Sequence, residues 1–582
     1  REELDKQGDG TLGEVLKRLP GVTIQGAPGR GGAIRMRGLG GGYTQILMDG
    51  QRVPPGFSID SLTPEMIEKV EILRAPTAET GARAIAGTIN IVLREGLRAN
   101  PDDLKVGAGF ENGHRSEGLN WVHNIKSEAL NGTFTVSALN NWRPEENTTL
   151  TDTDVDALGR MPAWSSHRER NTESLGQRQS LNANARLMWR GDQGKTLVLM
   201  PFMVYSEFNS RGHVDLSENK SMGGIAQAVA FDSANTTTNN RFVMTRLNGQ
   251  WNQRFSADTR FEFKFGLGES HFKSQFNQYE LGSTGLLNTM QETQSFKDLS
   301  QSWNGKLTQV LSNGHQLVSG VELEGVRRSE DAVAEVADDA GNMRARTQRW
   351  ALYTQDEWSI NSNWSAHAGL RYESILTEGV NEEGEKRNKS GVLTPLLHAV
   401  WKPVPESRDQ VRMSLTRSYK TPTLFNLVAR TALSRETNSP TRPDRIGNPG
   451  LKPELATGID VAVERYLADG GVLSANVFRR NISDLIRYVT SERYDTVWAP
   501  GQRRFVSSPQ NVGDAITQGI ELEAKFRLDQ VWTAVPPVDI RSNLSFFNSR
   551  VLDVLGPNNR LDQQPKMTAN LGGDYRIRAF PL

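Results

Sequence analysis

The chain has 582 residues, 68 basic and 68 acidic side chains for a formal charge of zero, and no cysteine. That length exceeds one ordinary soluble core, so two or more domains are expected. The balanced charge lacks the basic footprint of a duplex-binding protein, and the missing thiols exclude disulfides, thiolate metal sites and cysteine nucleophiles. Mean hydropathy is −0.53, and no apolar run approaches the ~20 residues of a membrane helix. A transmembrane β-barrel escapes that test, because its lipid-facing and lumen-facing residues alternate. No signal peptide is visible in the charged opening REELDKQGDG, so the leader of an exported form is expected to be removed or left out.

Residues 1–10 are polar and read as a linker. Leu12, Val15, Leu16 and Leu19 have helical spacing, with Thr11 as N-cap and Glu14 three residues on, and Pro20-Gly21 stops the helix. Val22 to Ile24, Ala33 to Met36 and Gln45 to Met48 read as short strands, with Asp49-Gly50 a turn after the third. Thr63-Pro64-Glu65 is expected to open a second short helix, MIEKV, and Ile85 to Leu93 a closing β segment.

From about Leu104 the period becomes two. Phe261, Phe263, Phe265 and Leu267 alternate with polar neighbours or glycine, as do Val411, Met413 and Leu415, and Ile520, Leu522, Ala524 and Phe526. Short turns such as Ser312-Asn313-Gly314 contrast with four long polar stretches: Pro144 to Gln177, Val214 to Asn239, Gly282 to Phe296 and Pro422 to Gly450. Short turns on one rim and long loops on the other are a feature of outer-membrane barrels. Trp121, Trp142, Trp189, Trp251, Trp350, Trp358, Trp364 and Trp401 stand near predicted strand ends as interfacial girdles. Two packed sheets of a soluble protein remain an alternative to that pattern. About eighteen strands are predicted between Leu104 and Arg578, against about 22 in plugged transporters. The last, Met567 to Arg578, has no closing partner, so final hairpins are expected beyond it. The predicted domains are therefore an N-terminal α/β unit, residues 1–98, and a mostly β domain, residues 99–582.

The segments LPGVTIQ, IRMRGL, ILMDGQRV, IEKVEILRAP and AIAGTINIVLRE, followed by GNPGLKPE and GIELEAKF, resemble in order the TonB-dependent outer-membrane receptors. The resemblance spans nearly the whole chain. It implies a transmembrane antiparallel β-barrel with the α/β unit as a plug in its lumen. It also implies outer-membrane lipid around a monomer, no enzymatic activity, and import of a scarce nutrient driven by a TonB-type inner-membrane energy-coupling protein. Two departures are Arg74-Ala75-Pro76 in place of Arg-Gly-Pro, and Glu79-Thr80-Gly81 in place of Leu-Tyr-Gly. No coupling box precedes Arg1, so truncation is expected there too.

Arg37 and Arg74 match plug arginines that in relatives face barrel carboxylates; the partners carried over by motif are Glu521 and Asp460, the latter with a shorter arm than the usual Glu. Such pairs would form a plug–barrel latch. Three plug loops are expected to point outward to the ligand, with Arg30, Tyr43 and Phe57 as contact-makers offering charge and stacking surface. A ferric siderophore is the expected ligand, with cobalamin, a saccharide or another metal chelate as alternatives. Haem is disfavoured, since no histidine lies between Tyr419-Lys420-Thr421-Pro422 and Asn448-Pro449-Gly450-Leu451. The eight histidines have no metal-ligand spacing, so no protein-held metal or cofactor is expected. GxSxG, Walker and HExxH sequences are absent. A passive porin-like channel and a surface adhesin fit the ordered plug motifs less well, and nothing points to nucleic acid.

Overall fold

The computed structural model describes residues 16, 19–24, 34–53, 67–93, 102–155, 163–229, 231–334, 341–381, 384–428, 431–434, 438–467, 470–532, 535–553 and 559–575. Among the described residues the N-terminal unit has six short strands: β1 (Val22–Ile24), β2 (Ile34–Met36), β3 (Thr44–Met48), β4 (Gln51–Arg52), β5 (Ile67–Leu73) and β6 (Gly87–Leu93). β1 pairs with β2, and the rest form one sheet in the order β4-β3-β6-β5. The β3–β4 turn has both central residues at positive φ, Asp49 at 50° and Gly50 at 76°, the requirement that makes Asp-Gly a hairpin dipeptide. Of the predicted first helix only Leu16 and Leu19 lie among the described residues. Leu16 is helical and fully buried.

The second helix is a correction. Described residues of MIEKV belong to β5, antiparallel to β6, with a bulge between Ile67 and Lys69. The bulge inserts one residue and so returns Ile67 and Val70 to the same face, opposite Leu93 and Ile91. Apolar residues three apart imitate a helix here because the strand is irregular.

Among the described residues eighteen long strands form a closed antiparallel ring running from Asp102–Glu111 to Met567–Tyr575, and the last is joined to the first. The strand that lacked a partner in sequence therefore has one. A two-residue strand, Ile225–Ala226, pairs with the end of Thr196–Met222.

The ring is apolar outside and polar inside. In Trp364–Asn381, Leu370 and Tyr372 are 46% and 41% exposed, whereas Arg371 and Glu373 between and beyond them are 1% and 0%. Ile459, Val461 and Val463 likewise face out while Asp460, Ala462 and Glu464 are buried. A soluble two-sheet protein would show the reverse, so the barrel is the fold. Its interior is filled by the N-terminal unit, whose core residues Met36, Leu39, Ile89 and Ile91 share one cluster with barrel residues Phe202, Val204, Met244 and Ile482. Exposed Trp251, Trp358, Trp364 and Trp401 lie beside the short turns, and Trp364 stacks on Trp401.

Three of the four predicted loops are corrected. Leu130–Val155 and Trp164–Arg190 pair from Leu130–Trp189 to Val155–Trp164, through the middle of the expected loop at Pro144 to Gln177. Val214 to Asn239 is mostly strand, with Val214, Leu216, Phe231 and Ala234 packed together. Gly282 pairs with Gly285 across a two-residue turn. A strand of 27 residues, such as Thr196–Met222, extends roughly 90 Å at ~3.3 Å per residue, far more than a ~30 Å bilayer requires even when tilted. Beyond the apolar band the outward side chains meet water, so the outer face is no longer apolar while pairing continues. The described residues of Pro422 to Gly450 do form an irregular loop. It holds the short helix Leu424–Val428 and the strand Asp444–Arg445, which joins Arg504–Asn511 and Ile486–Arg493 in a small sheet outside the ring.

Candidate functional site at the plug–barrel interface and the outer mouth

Arg37 turns the chain after β2 with φ 56°. Its guanidinium is fully buried, donates to Asp460 Oδ1 at 2.6 Å, and lies 4.1 Å from the centre of the Phe478 ring. Asp460 is held on its other oxygen by Arg480 at 2.6 Å and by Ser414 at 3.3 Å. Glu521 is farther off: 3.9 Å from Arg37 and 3.6 Å from Arg74, whose Nη2 is 3.7 Å from Glu523. All four residues expected at this contact are thus brought together, and the shorter aspartate makes the closest approach. Arg37 Nε and Nη1 make no hydrogen bond, so Arg37 meets Asp460 through one nitrogen rather than as a fork. Gly21 fits against the same carboxylate: at φ +69°, a Cβ there would stand 2.0 Å from Glu521 Oε1. Only glycine accepts both the backbone angle and the approach.

Tyr43 is a correction. Instead of pointing outward to a ligand it is buried, and its hydroxyl donates to Glu454 Oε2 at 2.5 Å. Lys420 Nζ takes the other oxygen of Glu454 at 2.9 Å and sits 4.0 Å from the Tyr43 ring centre. Burial, and then the Glu454 charge, push the Tyr43 hydroxyl well above its ordinary pKa. The phenol sits beneath the barrel wall because Gly42, at φ +82°, turns the chain against Lys420. Arg30 and Phe57 lie outside the described residues.

A second ionic contact was not anticipated. Arg83 of the plug reaches Glu324 at 2.5 Å and Glu373 at 3.6 Å. Arg349 bridges Glu322, Glu324 and Glu373, while Arg371 pairs with Glu322 and Glu373 and donates to the plug carbonyl of Ala78 at 2.9 Å. Arg52 is drawn into the same field; burial, with the positive charge of Arg83, lowers it to about 10. Lys306 ties Glu79 of the plug to Glu262 of the wall, at 2.7 and 3.0 Å. The sequence signal was limited to charges on the polar face of strands, which a solvated lumen would show equally.

At the long-strand end of the lumen, Lys220 and Arg442 converge on the buried Glu218, at 3.6 and 3.0 Å. Arg168 lies directly opposite Glu218 in the sheet, and Arg170 is one lumen-facing position farther along. Burial, and then the charge of Arg168, lower the pKa of Arg442. The small outer sheet is pinned beside it: buried Asp444 accepts two bonds from Arg504, both 2.8 Å, and one from Trp498 at 2.9 Å. Among the described residues no group of His, Cys, Asp and Glu has the arrangement of a metal site.

An inverted β-barrel filled by a small α/β unit and tied to it by buried ion pairs defines a plugged barrel of the receptor and transporter class. Family models agree in both parts: a TonB-dependent receptor plug domain matches residues 1–88, and a TonB-dependent receptor-like β-barrel matches residues 203–581. The chain belongs to the TonB-dependent receptor family. The ferric enterobactin receptor of Pseudomonas aeruginosa is 22% identical over 569 residues, 88% of this chain and 70% of that one. A vitamin B12 transporter of Vibrio vulnificus is 30% identical over 117 residues, a match spanning only 19% of either chain. Among solved structures, the copper transporter OprC has a TM-score of 0.65 at 15% identity, covering 97% of this chain and 80% of that one. A structure of the P. aeruginosa ferric enterobactin receptor gives 0.62 at 16% identity, covering 99% and 82%. Likenesses at such identities establish the fold.

Proposed function

We propose that this chain is an outer-membrane importer that binds an anionic ferric siderophore at its outer mouth and passes it inward when a TonB-type partner moves the plug. The observation that carries this reading is the convergence of Lys220 and Arg442 on one buried carboxylate, Glu218, with Arg168 opposite it in the sheet and Arg170 one lumen-facing position farther along. Positive charge in a concave, partly desolvated mouth raises the local concentration of an anion and gives planar donors for its oxygens. The ferric enterobactin receptor, similar along most of the chain, supports an iron chelate as cargo. The apolar outer wall supports a lipid environment. In this reading Arg37, Arg74, Asp460 and Glu521 form a latch that holds the plug at rest and yields to force, since polar contacts released to water are replaced at little cost.

The test is growth of an iron-starved host lacking its own receptors on a panel of ferric siderophores, with the intact receptor or with Arg168, Arg170 and Arg442 replaced by Gln. Growth on an anionic chelate that the triple variant loses is the expected outcome. Support for a neutral nutrient alone, unchanged in the triple variant, would sink the siderophore assignment.

A further inference from the structure

We propose that His367 and His398 form a binding site for one divalent metal ion of the Zn2+, Cu2+ or Ni2+ type, at the short-turn end of the plug–barrel interface. The site is separate from the outer mouth and does not depend on what the cargo is.

The two histidines are far apart in sequence, but the register of Trp364–Asn381 and Gly384–Trp401 sets them directly opposite each other on adjacent strands. Both face the lumen, His367 in phase with the buried Arg371 and Glu373, His398 in phase with the buried Thr394 and Leu396. Their ring centres are 5.2 Å apart. A metal about 2.1 Å from one nitrogen of each ring lies about 3.2 Å from each ring centre, so rings 5.2 Å apart subtend about 110° at it, the tetrahedral angle of Zn2+.

The nitrogens are prepared for such an ion. His398 Nε2 lies 2.9 Å from the carbonyl oxygen of Pro76 in the plug. A carbonyl oxygen only accepts, so Nε2 carries the proton and Nδ1 presents a lone pair. Metal-bound histidines are held in this way, by a carbonyl or carboxylate on the far nitrogen. His367 Nε2 is buried and has no hydrogen-bond partner, which leaves an unsatisfied nitrogen for a metal to take up. Two imidazoles suit Zn2+, Cu2+ or Ni2+ and not the oxygen-seeking Ca2+ or Mg2+. Among the described residues no third His, Cys, Asp or Glu completes a cluster, so water fills the remaining positions. Glu357, directly opposite His367 on its other side, is a carboxylate acceptor for that water.

One row toward the mouth, Gly369 and Leu396 are covered by Ala78 of the plug. In the other direction a single lumen-facing pair, Ser365 opposite Val400, precedes Trp364 and Trp401 beside the short turn. An ion therefore arrives from the short-turn end. Coordination draws electron density from the His398 ring and strengthens its Nε2–H bond to Pro76, so an occupied site holds the plug more firmly.

Equilibrium dialysis of the detergent-extracted chain against Zn2+ tests this, with Ca2+ as control and a heat-modifiable gel shift as the check that each variant is folded. Wild type is expected to retain one tightly held Zn2+ that Ca2+ does not displace. His367→Ala and His398→Gln each remove one of two imidazoles, and each weakens that step by at least about 100-fold, beyond the ~10–100-fold that loss of an outer hydrogen-bonding partner costs. His398→Gln keeps an N–H to offer Pro76, so its loss of Zn2+ reports ligation rather than plug seating. His271→Ala, at an exposed histidine beside Glu269, leaves the tight step within two-fold. Zn2+ also slows urea-dependent protease cleavage of the plug in wild type and not in His367→Ala. The proposal is overturned if wild type holds no Zn2+ against dialysis. Affinity within two-fold of wild type in either folded variant, or an equal loss in His271→Ala, overturns it as well, whatever the cargo panel shows.

Discussion

Asp460 is where the plug contact should be probed, because two buried arginines depend on it and only one belongs to the plug. Replacing Arg37 with Met removes a charge-assisted hydrogen bond of about 1.5–3 kcal/mol but leaves Asp460 paired with Arg480 at 2.6 Å and with Ser414. The apolar methionine remains against Phe478. Replacing Asp460 with Asn preserves shape but strips the counter-charge from Arg37 and Arg480 together. Breaking a buried pair from one side costs about 3–5 kcal/mol, here reduced by Glu521 at 3.9 Å from Arg37. The difference, about 2 kcal/mol, corresponds to roughly 30-fold in the population of displaced plug. Single-channel recording in planar bilayers reads that population as open time. Asp460→Asn should leak most, Arg37→Met measurably less, and the wild type least. Equal leakage in the two variants, or none in either, would refute the assignment of plug retention to this triad.

Other positions give further tests. Glu373→Gln withdraws a carboxylate from Arg83, Arg349 and Arg371 at once, and the whole barrel should lose about 3–5 kcal/mol, seen as a lower temperature for collapse of the heat-modifiable band. Tyr43→Phe should leave ligand affinity within two-fold while weakening plug retention by about 1 kcal/mol, measured by equilibrium binding beside urea-dependent protease cleavage of the plug. Gly21→Ala places a methyl group on the Glu521 carboxylate at an unfavourable φ and should cost about 1–3 kcal/mol, read by the same cleavage assay; wild-type resistance would contradict the close approach.

How much was legible in sequence depended on whether neighbours along the chain carried the information. Arg37, Arg74 and Glu521 stand in motifs that resemble, in order, those of the TonB-dependent receptors, and Asp460 follows one of them, while alternation sets Glu521 apart from the apolar side chains on either side of it. Glu322, Glu324, Arg349, Arg371 and Glu373 also alternate, yet strand parity alone does not separate a charge paired with a plug from one in water. Tyr43 was misplaced because a glycine-rich loop looks accessible until the wall around it is known. The second helix failed because a bulge shifts the strand period by one residue. The long loops failed because paired strands outside an apolar band carry polar side chains on their outer face and so read as loops.

Glu454 joins three segments far apart in sequence: it accepts from Tyr43 in the plug, from Lys420 at the end of Gln410–Lys420, and from the backbone of Ile486 at the start of a strand of the small outer sheet. Lys420 is also the last residue before the chain leaves the wall as the long irregular loop. In the importer reading proposed above, a cargo that drew this loop inward would pull on the same carboxylate that steadies Tyr43 of the plug.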